Sequence, residues 1–135
     1  MKTILVTGTS SGIGNQICIQ ASAMNFSVIS VSRNIEPLKD LNGIESFKLD
    51  ITDKDSVDEF TTNLKNRKIK IDILINNAGY LVSELFSETT YDSFKKTFDV
   101  NLFGLAEITR SLIPIINSDG HVINISSIGG VNGSK

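Results

Sequence analysis

The alternation of two hydrophobic periods, which begins at the first residues, constrains the fold most tightly. Lys2 to Thr7 is a short apolar run rich in β-branched residues that ends at Gly8, the pattern of a strand buried on both faces. From Gly12 the period changes. Ile13, Ile17, Ala21 and Met24 recur at helical spacing, which predicts one apolar helix face. Cys18, set among Ile17, Ile19 and Ala21, reads as a small buried hydrophobe.

The alternation then repeats. Ser27 to Ser32 predicts a second strand, Glu36 to Leu41 a short helical piece with Pro37 suited to its first turn, and Ile44 to Leu49 a third strand. Thr52 and Asp55 have capping-box spacing, and Val57, Phe60, Thr61 and Leu64 follow at helical intervals, predicting a helix over Thr52 to Asn66. Its polar face, Lys54, Asp58, Glu59 and Lys65, belongs to solvent. Ile71 to Ile75 predicts a fourth strand that stops at Asn76-Asn77-Ala78-Gly79. Phe94, Phe98, Leu102, Leu105, Ile108, Leu112 and Ile116 keep helical spacing, with Pro114 bending the last turns, and His121 to Ser126 predicts a fifth strand. Strands separated by helical patterns run parallel. Right-handed crossovers then give an α/β fold, a Rossmann-type doubly wound parallel sheet with helices on both faces. Such sheets bind ligands at the carboxyl ends of their strands, where the winding reverses.

Composition narrows the function classes. The chain has 135 residues, 40% of them apolar and 21% charged, enough for one domain that buries about two thirds of its unfolded surface. Thirteen Lys and Arg against fifteen Asp and Glu leave a net charge of −2, without the field that holds a polyanion, so no nucleic-acid partner is expected. A single Cys cannot form an internal disulfide. No apolar run approaches the roughly 20 residues of a membrane-crossing helix, and Met1 to Gly8 carries no small-residue cleavage site. A cytoplasmic protein with neither membrane partner nor metal site is expected.

Three places carry chemistry. Thr7-Gly8-Thr9-Ser10-Ser11-Gly12-Ile13-Gly14 joins the first strand to the first helix. Glycines there allow a tight turn and close approach of the backbone to a pyrophosphate, and the helix start supplies N–H donors. A plain turn with a Ser cap is the competing reading; a Walker loop is excluded because no Gly-Lys-Ser or Gly-Lys-Thr follows. At the tip of the second strand, Ser32-Arg33-Asn34 lacks the acidic residue that would hold the ribose hydroxyls of NAD. Arg33 can pair bidentately with phosphate and Ser32 can donate to it, which favours NADP over NAD. A solvated Arg is the alternative. Asp50, in Leu49-Asp50-Ile51, either accepts from an adenine amino group, with Ile51 packed on the ring, or caps a helix.

Taken together, Thr7-Gly8-x-x-x-Gly12-Ile13-Gly14, Asn76-Asn77-Ala78-Gly79, Asn101 within Asp99-Val100-Asn101, and Asn124-Ile125-Ser126-Ser127 resemble the short-chain dehydrogenase/reductase family, in its most common branch, over the whole sequence. The resemblance implies that Gly8, Ser10, Gly12, Ile13, Gly14, Arg33, Asp50, Ile51, Asn77 and Gly79 hold the nucleotide. It implies that Asn101 sits at a local break in helical hydrogen bonding and holds a water for proton relay. It also implies that Ser127 hydrogen-bonds the substrate oxygen as hydride moves.

The family's proton donor, a Tyr in Tyr-x-x-x-Lys beyond the matched Ser, has no counterpart before Lys135. Tyr91 and Lys95 have that spelling, but they precede Asn101 and open a different helix, so a surface and capping role is expected; Tyr80 and His121 are no substitutes. The expectation is the N-terminal, cofactor-binding part of an NADP-dependent short-chain oxidoreductase, its sheet cut after the fifth strand and inactive alone. Full-length relatives act on small carbonyls or alcohols and pair as homo-oligomers. The alternative is a catalytically dead NADP-binding or interaction module. Either way, the fifth strand should be a bare edge with Val122, Ile123 and Ile125 poorly covered.

Overall fold

The computed structural model describes residues 1–127. In chain order these are β1 (Thr3–Thr7), α1 (Gly12–Ala23), β2 (Ser27–Ser32), β3 (Ile44–Lys48), α2 (Lys54–Asn66), β4 (Ile71–Asn76), α3 (Tyr91–Phe98), a π-helical segment (Asp99–Gly104), α4 (Leu105–Leu112) and β5 (Ile116–Asn124). The strands form one sheet in the order β3-β2-β1-β4-β5, and every adjacent pair is parallel. The chain steps outward from β1 to β2 and β3, then returns past β1 to β4 and β5. The winding therefore reverses between β1 and β4, and the crevice at their carboxyl ends is the place for a ligand. This is the expected Rossmann-type fold.

Strand alternation sorts the core into two layers. Leu5, Ile29, Val31 and Leu74 face α2 and α4, where Val57, Phe60, Leu64, Ile108 and Leu112 complete the larger cluster. Ile4, Val6, Val28 and Ile75 face the other way, onto Cys18 and Ala21 of α1 and onto Leu38. All four apolar-face positions expected of α2 are buried, and Phe60 meets the Phe47 ring edge-on with centroids 5.0 Å apart.

Four local expectations are corrected. α1 buries Gly14, Cys18 and Ala21, while Ile13 and Met24 are 63% and 71% exposed. A methyl built on Gly14 would stand 2.4 Å from Asn77 Nδ2 and 2.5 Å from Gly8 O, so the helix docks on its smallest residue and its bulky apolar ones rotate outward. Residues 36–40 form turns instead of a helix, pinned by the buried Leu38 and by N–H bonds spanning three residues, Leu38 to Ile35 and Leu41 to Leu38. α2 starts at Lys54, because Asp53 is its cap and accepts from the Ser56 N–H and hydroxyl. The seven-residue stripe from Phe94 to Ile116 does not form one face. A π segment takes more residues per turn, so the phase slips across Asp99–Gly104: Ile108 and Leu112 are buried, whereas Phe94, Phe98 and Leu102 are exposed.

Pro114 stands in a short 3₁₀ turn, Ile113–Ile115, that ends the helix, and Ile116 already belongs to β5. β5 begins earlier than expected, with Ile116 beside Ile71 and a register shift before His121 meets Ile73. Among the described residues β5 is an edge, and Val122, Ile123 and Ile125 are 44%, 43% and 42% exposed.

Candidate functional site

The two loops that leave β1 and β4 are welded to each other. Thr7 Oγ1 accepts from the main-chain N–H groups of Asn77 (3.1 Å) and Ala78 (3.0 Å), and Asn77 Nδ2 donates to the carbonyls of Thr7 (3.0 Å) and Gly8 (2.9 Å). The approach is so close that a methyl on Gly8 would lie 2.6 Å from the Ala78 Cα. Gly8 and Gly12 both have positive φ, 72° and 59°, which other side chains rarely adopt. Asn76 extends the weld on the far side: its Nδ2 donates to Thr109 of α4 (2.9 Å) and to Asn124 of β5 (2.8 Å).

α1 opens onto this crevice without a side-chain cap. Ser11 occupies the capping position in extended conformation and makes no cap hydrogen bond, and the first turn holds no acidic residue. The Ser cap of the competing reading is therefore absent, and the first-turn N–H groups receive nothing from the Ser11 side chain.

A cavity of about 280 Å³ lies alongside. Of the residues singled out from the sequence, Gly8, Ser10, Arg33, Asp50, Ile51, Asn77 and Gly79 line it. Gly12, Ile13 and Gly14 do not. Gly12 sets the turn, Gly14 lets the helix approach, and the Ile13 side chain points outward.

At the far end, Arg33 is exposed and makes neither an ion pair nor a hydrogen bond among the described residues. Ser32 departs from expectation, because its hydroxyl donates to the Asn34 carbonyl at 2.6 Å and its proton is already committed. Asp50 does not cap α2. Its Oδ1 accepts from the N–H and hydroxyl of Thr52, at 2.9 and 2.7 Å, and its Oδ2 makes no hydrogen bond among the described residues. Ile51 is held in place from behind, since the Gly104 Cβ position is 3.0 Å from both Ile51 O and Ile51 Cγ1.

Asn101 and Ser127 do not line the cavity. The π segment is a local break in α-helical bonding around Asn101, but both ends of that amide are spent on one residue. Nδ2 donates to Tyr80 O at 2.8 Å and Oδ1 accepts from Tyr80 N at 2.7 Å. Ser127 is exposed, beyond the end of β5. Tyr91 is exposed at the start of α3 and Lys95 pairs with Asp99, so both lie at the surface, but neither caps the helix: Thr90 does, accepting from the Ser93 N–H. His121 is exposed within β5. Burial pushes the Cys18 thiol up to about 12, which makes it packing and not a nucleophile. Among the described residues no cluster of His, Cys, Asp or Glu is placed to hold a metal ion, and no helix is long and apolar enough to cross a membrane.

Sequence reasoning passed over Thr7 as a structural weld and Ser11, Tyr80 and Val100 as lining. Tyr80 is the most telling, since its main chain is clamped by Asn101 and its ring lies 4.4 Å under Lys96 Nζ. Its position directly after the Asn-Asn-Ala-Gly turn was the available signal.

Three comparisons bear on this arrangement. A fatty acyl-CoA reductase of Acinetobacter baylyi is 34% identical over 95% of this chain and 48% of its own length. The structure of a short-chain dehydrogenase from Leptospira borgpetersenii with bound NAD+ superposes with a TM-score of 0.90 at 28% identity, over 99% of this chain and 54% of that one. That of ElxO with NADP bound gives 0.85 at 28%, over 98% and 58%. The chain thus spans about half the length of the relatives it matches. The family model described as short chain dehydrogenase matches residues 2–135, in agreement with the strand order, the uncapped glycine turn and the Asn-Asn-Ala-Gly weld: the chain belongs to the short-chain dehydrogenase family.

Proposed function

We propose that residues 1–135 form the nucleotide-binding part of an NADP-dependent short-chain oxidoreductase whose whole form interconverts small carbonyls and secondary alcohols. One observation carries the cofactor reading. Ser11, the capping position of α1 that makes no cap hydrogen bond, and Arg33, without a partner among the described residues, line one cavity, and the tip of β2 reads Ser32-Arg33-Asn34 with no carboxylate. The donor set suits a dinucleotide: Ser10, Ser11, Arg33, Asp50 and Asn77 line one cavity, while a methyl on Gly8 or Gly14 would clash with Ala78 or Asn77 and push the loops that border it apart. Amide donors of the glycine turn would hold the pyrophosphate. Arg33 would hold the 2′-phosphate, Asp50 Oδ2 and Ile51 the adenine, and Asn77 and Gly79 the remaining nucleotide. When bound, the nicotinamide supplies hydride chemistry.

We further infer that residues 1–135 alone turn over little or nothing. Ser127 is exposed and does not line the cavity, the Asn101 amide is committed to Tyr80, and a positioned proton donor is worth roughly 10² to 10⁴-fold. Asn101 is thus a positioning residue that fixes the Tyr80 main chain. Fluorescence titration tests the reading. NADPH should bind saturably and at least about tenfold more tightly than NADH, as one charge-assisted contact predicts. Equal or inverted affinities would overturn the choice of NADP, and measurable turnover of any carbonyl by this chain would overturn the inactivity.

A further inference from the structure

Thr9 lies inside the glycine-rich turn, yet it is 0% exposed and does not line the cavity. Its hydroxyl meets the Ser30 hydroxyl at 2.9 Å, and Ser46 of β3 donates to Ser30 at 3.3 Å. Ser30 is also 0% exposed. It stands in the middle of β2, in register with Val6 on one side and Ser46 on the other, and shares its sheet face with Val28. A valine would suit that apolar face better, because a buried hydroxyl costs free energy unless it is bonded. Its partner is the turn. The turn, with positive φ at Gly8 and Gly12, has more backbone freedom to lose than any other stretch of the site. Four contacts restrain it near Thr9: Gly8 N–H donates to Val31 O at 2.8 Å, Asn77 Nδ2 donates to Gly8 O at 2.9 Å, Asn15 Nδ2 donates to Thr9 O at 3.3 Å, and the two hydroxyls meet.

We propose that Ser30, acting through Thr9, is a positioning residue for nucleotide binding. It anchors the glycine turn to β2 so that the turn's amide donors are already ordered when the pyrophosphate arrives, which removes part of the ordering cost of binding. The affinity part rests on the nucleotide reading above; the ordering part does not.

The test compares Thr9→Val, which keeps the shape and loses the hydroxyl, with Thr9→Ser, which keeps the hydroxyl, alongside Ser30→Ala and the Thr9→Val/Ser30→Ala double variant. Amide hydrogen exchange of the unliganded proteins should quicken over residues 8–14 in Thr9→Val and Ser30→Ala, with β4 unchanged, and stay at wild-type rates in Thr9→Ser. NADPH affinity should fall about three- to tenfold in each hydroxyl-deleted single variant. The double variant should lose no more than the Ser30→Ala single, since both singles remove the Thr9–Ser30 bond and Ser30→Ala alone also removes the Ser46 contact. Unchanged exchange in Thr9→Val, additive losses, or a Thr9→Ser variant as weak as Thr9→Val would each overturn the proposal. If Ser30→Ala does not fold, the Thr9 pair decides alone. A wild type that fails to bind NADPH overturns the functional reading and the affinity part together, whereas a binding wild type with unaffected variants overturns only this proposal.

Discussion

In the proposed reading, Arg33 is the residue on which cofactor choice turns. Its guanidinium has no internal partner among the described residues and stands at the cavity, so its removal leaves no buried charge stranded and no packing gap. Arg33→Ala should therefore leave stability within about 0.5 kcal/mol of wild type. NADPH should weaken by roughly 10- to 100-fold, the value of a charge-assisted contact, while NADH is untouched; paired titrations check both. That Arg33 stands at the cavity was legible, because its position at the tip of β2 sufficed. Ser32 was misread for the opposite reason. A hydroxyl has one proton, and whether a ligand or the Asn34 carbonyl receives it depends on where a loop folds back, which composition does not encode.

At the scale of elements, what could be read from the sequence depended on whether a face was set by periodicity alone. α2 has a strong apolar stripe, and all its expected core positions are buried. α1 has a weak one, and its orientation comes from the closest approach, at Gly14. The stripe from Phe94 onward failed because periodicity assumes a constant residue count per turn, which the π segment breaks. Gly14→Ala tests the α1 argument. Alanine gains up to about 1 kcal/mol of helix propensity, but the added methyl would meet Asn77 Nδ2 at 2.4 Å and the Gly8 carbonyl at 2.5 Å. Overpacking of that kind costs typically 1–3 kcal/mol, and one neighbour is backbone that cannot swing away. A net loss of about 1–2 kcal/mol is expected in urea melts, with weaker nucleotide binding because both displaced groups belong to the β1–β4 weld.

Across the whole molecule, Asp72 ties three strands at the end of the sheet opposite the cavity. Its Oδ2 accepts from Thr3 N–H at 2.7 Å and its Oδ1 from Asn117 Nδ2 at 2.9 Å. These bonds, that from Thr3 first, hold its carboxyl below the usual value. Since the folded-state value is the lower one, the stabilisation is fully present above the unfolded value, near 3.9, and is lost as pH falls through the folded value. Urea midpoints should therefore separate wild type from Asp72→Asn most at neutral pH and converge below about pH 4. A constant gap would mean that the contact does not depend on charge.

The other edge-forming strand carries the last consequence. Among the described residues the outer edge of β5 pairs with no strand, beside exposed Val122, Ile123 and Ile125, and the π segment and α3 add exposed Phe94, Phe98, Leu102 and Phe103. An unprotected apolar edge invites pairing with another chain, and a lysine on such an edge blunts it. Residues 1–135 should accordingly associate as concentration rises in sedimentation velocity runs. Ile123→Lys should shift the species toward monomer with little loss of stability, because the side chain is 43% exposed already. Arg33→Ala, at the cavity, should not change the association. A wild type that stays monomeric at high concentration would mean that the edge is covered by the chain itself.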